Sequence, residues 1–207
     1  MTHPEVVSDT KSIQYSDRLT RIAQRRWKRI VSPLNPYKFH VRLISVSNVL
    51  DVGCGIGRNL DYLDHSDAIG IDHNIQSVEI ARQRGFTVFT DIEFFKLNHT
   101  FNTILFSHVL EHMNPEEATS TVSKYMGYLN PGGRLIIICP QLKGQKSDPS
   151  HVSFCDFQFL EQLVNTQNLE LVKAYSFPLP YFFGRWFVYN ESVVIAMKPL
   201  ISGMLIS

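Results

Sequence analysis

A glycine turn that directly follows an apolar segment constrains the fold of this 207-residue chain more than any other feature. The segment VLDVGCGIG (49–57) predicts a strand, then a turn with glycine at every second position, then a helix from about Ile56 to Leu63. Glycine at such a turn lets the backbone approach a ligand closely and point N–H groups at it. Open α/β sheets bind ligands in the crevice at the carboxyl ends of their strands. We therefore expect a ligand site at this turn.

Strands and helices alternate along the chain after this turn. Apolar and β-branched runs predict strands, and residues such as Asn74 and Asn114 predict helix starts because they can cap free N–H groups. The predicted strands are 47–52, 68–72, 86–90, 101–107, 134–139, 169–176 and 192–198, and the predicted helices after the turn are 74–84, one from Asn114 to about Leu129, and 156–164. This order predicts an α/β fold, with helices on both faces of a mostly parallel sheet.

Residues 1–36 are predicted to lie outside the main domain as an N-terminal tail and basic helix that cap it. The tail is followed by an amphipathic helix at 16–31, which ends where the prolines of SPLNPY (32–37) cannot continue it. The remaining residues, 37–207, are enough for one domain with its own core.

Composition limits the classes of partner. The formal net charge of +1 gives no global reason to expect nucleic acid. The three cysteines are scattered and include no C-x-x-C pair, so we expect a reducing, cytoplasmic setting. The apolar runs have the length of strands, so stable membrane insertion is not expected.

The basic run at 25–29 either binds a phosphate-bearing ligand or forms a solvated helix face with Trp27 buried.

An acidic residue at the end of the second predicted strand supports a nucleoside-binding site. Asp72 lies 21 positions after Asp51, where a carboxylate can accept hydrogen bonds from both hydroxyls of a ribose. A dinucleotide fingerprint, G-x-G-x-x-G, would require glycine at position 58, and the chain has Arg58 there. The displaced third glycine therefore argues against a nicotinamide dinucleotide.

Three motifs carry a resemblance to a known family. The D-x-G-x-G-x-G turn at 51–57, GID at 70–72 and LNPGGRLII at 129–137 resemble the class I S-adenosylmethionine-dependent methyltransferases. This resemblance implies a Rossmann-like fold, with a seven-stranded, mostly parallel sheet and a final antiparallel strand. It also implies S-adenosyl-L-methionine as the cofactor. DPSHVSF, SFPLP and YNESVVIAMKP are similar to a bacterial subgroup, and they do not identify its methyl acceptor.

The resemblance also implies which residues contact the methionine end of the cofactor. Gly53, Cys54 and Gly55 would line that end, and Asp51 would order the turn beneath it. Gly57, the third glycine of the turn, belongs to the same predicted cofactor site.

The nucleoside end of the cofactor would be held by residues after the second and third strands. Asp72 would bind the ribose, and His73 would lie beside the adenine. Asp91 matches the family's acidic contact to the adenine amino group, with Ile92 as its apolar neighbour; a plain helix cap is the alternative for Asp91. Ser107 replaces the Asp or Asn that amine methylases often carry at that corner, which weakens an N-methylation interpretation.

The string HVLEH (108–112) matches H-x-x-E-H, a zinc-peptidase signature when it lies on a helix. Here it follows a predicted strand and stops before Pro115, so it is a loop at the mouth of the crevice and a peptidase is not expected. The same segment resembles the metal-binding E-V-L-E-H stretch of the ubiquinone-biosynthesis O-methyltransferases and a similar stretch of the small-RNA 2′-O-methyltransferases. In this chain His108 replaces the first glutamate, and His151 is the later histidine.

Three interpretations of this mouth remain open. His108, Glu111, His112 and His151 form a divalent metal site, for which three imidazoles favour zinc, iron or manganese over magnesium. Alternatively, His108 or His151 is a metal-free general base. In the third interpretation, Glu111 and His112 only stabilise the loop.

The segment FPLPYFFGRWFVYNE (177–191) contains seven aromatic residues and Arg185. It forms either an aromatic wall for a sugar or ring substrate, with Arg185 as an anion contact, or an apolar surface that covers the sheet edge or a dimer contact.

The sequence as a whole predicts an S-adenosylmethionine-dependent methyltransferase that acts on an oxygen of a small molecule or glycan precursor, as a monomer or homodimer. A catalytically silent methyltransferase-like binding protein is one competing interpretation, and Asp51, Asp72 and the histidine-rich mouth argue against it. A nucleotide-cofactor oxidoreductase is the other, and the displaced glycine argues against that.

Overall fold

The computed structural model describes residues 35–63 and 68–200. The tail and basic helix predicted in residues 1–36 lie almost wholly outside the described residues. The first described helix, α1 (Pro36–Ile44), begins where the sequence predicted only a break. Proline is tolerated in the first turn of a helix, and the Asn35 side chain caps the helix by accepting a hydrogen bond from the Tyr37 N–H (3.0 Å). The second proline of SPLNPY thus starts a helix.

Seven strands form one sheet in the order β3-β2-β1-β4-β5-β7-β6. The strands are β1 (Val49–Val52), β2 (Ala68–Ile71), β3 (Val88–Phe89), β4 (Phe101–Ser107), β5 (Leu129–Pro140), β6 (Glu170–Phe177) and β7 (Glu191–Met197). The first five run parallel, and β7 is antiparallel to both β5 and β6. This arrangement confirms the predicted Rossmann-like methyltransferase sheet with its final antiparallel strand.

Helices follow β2, β3, β4 and β5, and a side chain caps the start of each of them except the one at Leu142–Gln145. They are α2 (Ile75–Gln83), α3 (Asp91–Phe94), α4 (Pro115–Tyr125), α5 (Leu142–Gln145) and α6 (Phe157–Thr166). Asn74, Asn114 and Asp156 cap α2, α4 and α6 as their sequence positions suggest. Short 3₁₀ turns lie at Leu110–His112, Met126–Tyr128 and Tyr181–Arg185.

The helix predicted at 56–63 is instead a series of turns. Gly53, Gly55 and Gly57 all have positive φ angles, of 72°, 56° and 85°. A left-handed residue at position 57 prevents a regular helix from starting at Ile56. Isolated helical hydrogen bonds, such as Asp61 N–H to Gly57 O (3.1 Å), are what remains.

The core lies on both faces of the central strands. Leu50, Ile104 and Ile137 belong to one buried cluster, and the neighbouring positions Val49 and Leu105 belong to the other. Successive residues of a strand point to opposite faces, so a strand covered on both sides must be apolar at nearly every position. The edge formed by the carboxyl ends of the parallel strands stays free for loops, and the candidate site lies there.

Candidate active site at the carboxyl edge of the sheet

The glycine turn is tied to the end of β2 by backbone hydrogen bonds. The N–H groups of Gly53 and Cys54 donate to the Ile71 carbonyl (2.8 and 2.9 Å), and the Gly55 N–H donates to Asp72 Oδ2 (2.8 Å). The other carboxylate oxygen of Asp72 accepts a hydrogen bond from the Asn74 N–H (2.8 Å). The predicted ribose-binding carboxylate is therefore fixed against the turn.

Gly53 cannot be replaced without disturbing the neighbouring loop. A Cβ at this position would lie 2.5 Å from Val109 Cγ2, and the φ angle of 72° strains any other residue. This close approach brings the HVLEH segment directly against the glycine turn. The predicted cofactor turn and the predicted acceptor mouth are thus in contact.

Two buried carboxylates lie beneath the turn. Asp51 is fully buried, and its Oδ1 accepts a hydrogen bond from Asn59 Nδ2 (3.1 Å), while its Oδ2 has no hydrogen-bond partner among the described residues. Burial raises the pKa of Asp51 to about 7, although the Asn59 hydrogen bond opposes the shift. Burial also raises the pKa of Asp72, against the hydrogen bonds from the Asn74 and Gly55 N–H groups.

The other predicted cofactor residues lie around the same crevice. Asp91 is the first residue of α3, and its Oδ1 accepts a hydrogen bond from the Tyr125 hydroxyl (3.1 Å). Thr90 caps that helix, so Asp91 is not the cap. Ile92 is 74% exposed, which leaves an apolar surface available beside Asp91. His73 follows Asp72, with its Nδ1 3.9 Å from Asp72 Oδ1.

Cys54 and Ser107 are both buried where strands end. Burial raises the pKa of the Cys54 thiol well above its ordinary value, so this side chain is neutral and behaves as a small apolar group. Ser107 is the last residue of β4.

His108 is held between two carboxylates. Its Nε2 lies 2.8 Å from Glu191 Oε1, and its Nδ1 lies 3.2 Å from Glu111 Oε1. Burial alone would lower the pKa of His108, but the two carboxylates outweigh it and raise the pKa to about 9. Without a bound metal, the ring is therefore protonated at neutral pH and donates from both nitrogens. The two roles predicted for His108, metal ligand and general base, stay predictions.

Glu111, His112 and His151 come together beside His108. Each offers one ligand atom, and these three atoms all lie within 4.8 Å of one another. The backbone explains the convergence, because the Glu111 carbonyl accepts hydrogen bonds from the N–H groups of Val152 (2.7 Å) and Ser153 (3.1 Å). These contacts bring the DPSHVSF loop (148–154) against the HVLEH segment.

The two histidine rings of this group are oriented by main-chain carbonyls. His112 Nδ1 lies 3.1 Å from the Ser150 carbonyl, and His151 Nδ1 lies 3.1 Å from the Gln145 carbonyl. A carbonyl only accepts hydrogen bonds, so each Nδ1 carries a proton, and in the neutral ring the lone pair lies on Nε2. Burial lowers the pKa of His151, which keeps this ring neutral.

Glu111 supplies the charge of the group. It is fully buried; its Oε1 lies 3.2 Å from His108 Nδ1, and its Oε2 accepts no hydrogen bond within the described part of the chain. Burial alone would raise its pKa, but the contact with His108 outweighs this and lowers it, so the carboxylate is ionised. A buried carboxylate oxygen without a hydrogen bond is costly, and it marks a place where a ligand can bind.

Three functional positions escaped the sequence analysis. Glu191 is the only acidic residue of 177–191, and a single acid in an aromatic segment could have indicated a specific role. Gln141 and Asn190 are joined by a hydrogen bond from Asn190 Nδ2 to Gln141 Oε1 (2.8 Å), and the Asn190 side chain also accepts from the Leu179 N–H (3.0 Å). These two amides hold the aromatic segment over the end of β5. No sequence pattern predicts such a contact.

Comparison with known proteins agrees with this geometry. A family model described as a methyltransferase domain matches residues 19–174. An uncharacterised methyltransferase of Bacillus cytotoxicus is 28% identical over 133 residues, which is 61% of this chain and 62% of that relative's length.

Solved structures of methyltransferases share the fold. The magnesium protoporphyrin IX methyltransferase of Synechocystis, with bound S-adenosylhomocysteine, matches with a TM-score of 0.67 at 16% identity over 93% of this chain and 98% of its own. The N-methyltransferase NodS of Bradyrhizobium japonicum, in complex with S-adenosylhomocysteine, matches with a TM-score of 0.61 at 17% identity, over 90% and 97% of the two chains.

The fold is that of the class I S-adenosylmethionine-dependent methyltransferases, as the motifs predicted. The chain belongs to the methyltransferase-domain family.

Proposed function

We propose that this protein transfers the methyl group of S-adenosyl-L-methionine to an oxygen atom of a small-molecule or glycan acceptor. The observation that carries the proposal is the convergence of Glu111, His112 and His151 at the carboxyl edge of the sheet. Val109 packs against Gly53, so this group adjoins the turn that would hold the cofactor. Donor and acceptor groups would therefore meet at one crevice.

The chemistry of methyl transfer explains why such a group is useful. The sulfonium of the cofactor is already activated, so alignment of donor and acceptor supplies much of the rate. A hydroxyl group is nonetheless a weak nucleophile until it loses its proton. His112 and His151 each present an Nε2 lone pair, and a neutral imidazole beside a carboxylate is suited to accept that proton.

The same two lone pairs can instead hold a divalent metal ion, and we include this alternative in the proposal because three of the predicted ligands fit one. His112 and His151 would hold it through Nε2, and Glu111 through a carboxylate oxygen, of which Oε2 accepts no hydrogen bond among the described residues. Two imidazoles and one carboxylate suit zinc, iron or manganese better than magnesium. When bound, such an ion lowers the pKa of an acceptor hydroxyl.

The atom that receives the methyl group can be identified directly. An extract of cells lacking the gene would be incubated with the purified protein and S-adenosylmethionine carrying a carbon-13 methyl group. We expect the labelled product to show the carbon-13 chemical shift of an O-methyl group, and mass spectrometry of the same fraction would identify the acceptor. A shift typical of an N-methyl or C-methyl group would contradict O-methylation.

The metal can be tested without knowledge of the acceptor. We expect purified protein to contain close to one equivalent of a transition metal by elemental analysis, and the His151→Ala variant to lose it. His99→Ala is the matched control, since His99 is an exposed histidine before β4, and it should retain the metal. Metal-free protein whose methyl transfer resists chelators would refute the metal and leave His112 and His151 as proton acceptors.

A further inference from the structure

Five aromatic side chains are exposed to solvent beside the mouth of the crevice. They lie in one short segment, whose exposed rings we call the aromatic platform: Tyr181, Phe182, Phe183, Trp186 and Tyr189. Trp186 is 68% exposed and Tyr189 is 61% exposed. Single exposed apolar residues are ordinary on a protein surface, but a group of large aromatics within nine positions usually marks a binding surface.

The platform is held in place by its base. Gly184 lies so close to the Gln141 side chain that no Cβ would fit, and a Cβ on Gly144 of α5 would lie 2.8 Å from the Val188 carbonyl oxygen. On the other side, the Tyr37 hydroxyl of α1 donates a hydrogen bond to the Tyr189 carbonyl (2.8 Å). The aromatic rings are therefore exposed because a fixed backbone presents them.

The surroundings of the platform are basic. Arg185 lies within it and is exposed, and Lys143 and Lys146 are exposed on or next to α5, which packs against it. Residues 177–190 contain no Asp or Glu, and Glu191 is turned inward to His108. Two carboxylates lie nearby: Asp148, which accepts hydrogen bonds from the N–H and hydroxyl of Ser150, and Asp156, which precedes Phe157, whose ring packs against Tyr181 (5.5 Å). Three basic side chains outnumber these two carboxylates. The platform thus combines aromatic rings with net positive charge.

We propose that the aromatic platform binds the surface of an anionic phospholipid bilayer and presents the mouth to an acceptor carried by a lipid. Tryptophan and tyrosine combine an apolar ring with a polar atom, which suits the boundary between headgroups and acyl chains. Basic residues at the same level are attracted to anionic headgroups. The bilayer contact stands independently, whereas the lipid-borne acceptor rests on the proposed function.

The positive charge of the aromatic platform favours an anionic bilayer over two other partners that could cover it, a second copy of the chain and the N-terminal residues. A second copy of the chain, docked through the same surface about a two-fold axis, would bring like charges together. The N-terminal residues 1–34 carry a basic run at 25–29, so they too have the wrong sign to cover this surface. An anionic bilayer is complementary both to the charge and to the aromatic rings.

Vesicle co-sedimentation of the full chain tests this proposal. We expect binding to vesicles of phosphatidylcholine and phosphatidylglycerol in equal parts, little binding to phosphatidylcholine alone, and weakening by salt. Replacement of Trp186 and Phe182 by serine should weaken binding roughly tenfold or more, as expected when two buried rings are lost. Val172→Ser is the matched control, since Val172 is 53% exposed on β6, away from the mouth, and it should bind as the parent does.

Fluorescence gives a measurement that does not alter the platform. The chain has two tryptophans, Trp27 and Trp186, so a Trp27→Phe variant reports on Trp186 alone. Its emission should shift to shorter wavelength when anionic vesicles are added. An unchanged emission, equal binding by the Trp186 and Phe182 double variant, or a dimer in solution that Trp186→Ser abolishes would overturn the proposal. Vesicle binding without any methyl transfer would support it and would count against the proposed function alone.

Discussion

Asp51 is enclosed beneath the glycine turn, and within the described residues its side chain accepts a hydrogen bond from the Asn59 amide alone. Its pKa is about 7 in the folded protein, against 3.8 ordinarily. The folded state therefore binds the Asp51 proton more tightly than the unfolded chain between these two values. This carboxyl lowers the free energy of unfolding as the pH rises through that window, and the whole penalty is present above pH 7.

We predict that Asp51→Asn stabilises the protein in a pH-dependent way. The neutral amide avoids the cost of a buried charge, so the free energy of unfolding should rise by on the order of 2–4 kcal/mol at pH 8 and by much less at pH 5. Urea unfolding at both pH values measures this difference. Asp61→Asn is the control, because Asp61 is an exposed carboxylate in the same segment. An equal gain at both pH values would contradict the prediction.

Glu191 and His108 form an ion pair that joins residues 83 positions apart. Replacement of Glu191 by Gln removes one of the two charges that hold the His108 ring, and we expect the free energy of unfolding at pH 7 to fall by about 1–3 kcal/mol. Glu170→Gln, an exposed change on β6, should have little effect. Equal unfolding midpoints for the Glu191→Gln variant and the parent would show that the pair contributes nothing to stability.

At the scale of elements, the glycine turn depends on close packing as well as on backbone conformation. Gly53 and Gly85 both have positive φ angles, of 72° and 89°, but only Gly53 has a neighbour that a Cβ would strike. Gly85→Ala should cost only the strain of a left-handed residue, roughly 1–2 kcal/mol. Gly53→Ala should cost more, because Val109 must also move.

The two glycine variants also separate stability from cofactor binding. We expect Gly53→Ala to weaken S-adenosylhomocysteine binding at least tenfold by calorimetry, since the turn and the HVLEH segment are pushed apart. Gly85→Ala should bind as the parent does, because Gly85 lies at the far end of α2. Equal affinity in both variants would show that Val109 does not position the turn.

Several elements were predictable because local signals agree with the final fold. β4 has the predicted bounds, and α2 and α4 begin after the predicted caps Asn74 and Asn114. The helix expected at 56–63 was wrong, since the glycine angles interrupt it, and α1 was missed because Pro36 was interpreted only as a breaker. Glycine can supply a left-handed turn or interrupt a helix, and proline can begin a helix or end one. Tertiary contacts decide which of these occurs.

At the scale of the whole molecule, the sheet order determines which distant segments meet. The carboxyl ends of β1, β2 and β4 were expected to share one edge, so the glycine turn, Asp72 and the HVLEH segment could be placed together from the sequence. The antiparallel pairing of Pro140 with Glu191 was not predictable in its register. That pairing places the Glu191 carboxylate against the His108 ring, a contact that the sequence did not suggest. Among residues 35–63 and 68–200, no helix is long and apolar enough to cross a bilayer.

Calorimetric titration of the full chain with S-adenosylhomocysteine and, separately, with NAD tests the central claim most directly. The turn, Asp72 and the displaced third glycine predict one binding site for S-adenosylhomocysteine and no binding of NAD. Asp72→Ala should abolish that binding, whereas Asp61→Ala should not. Binding of NAD without binding of S-adenosylhomocysteine would contradict the account.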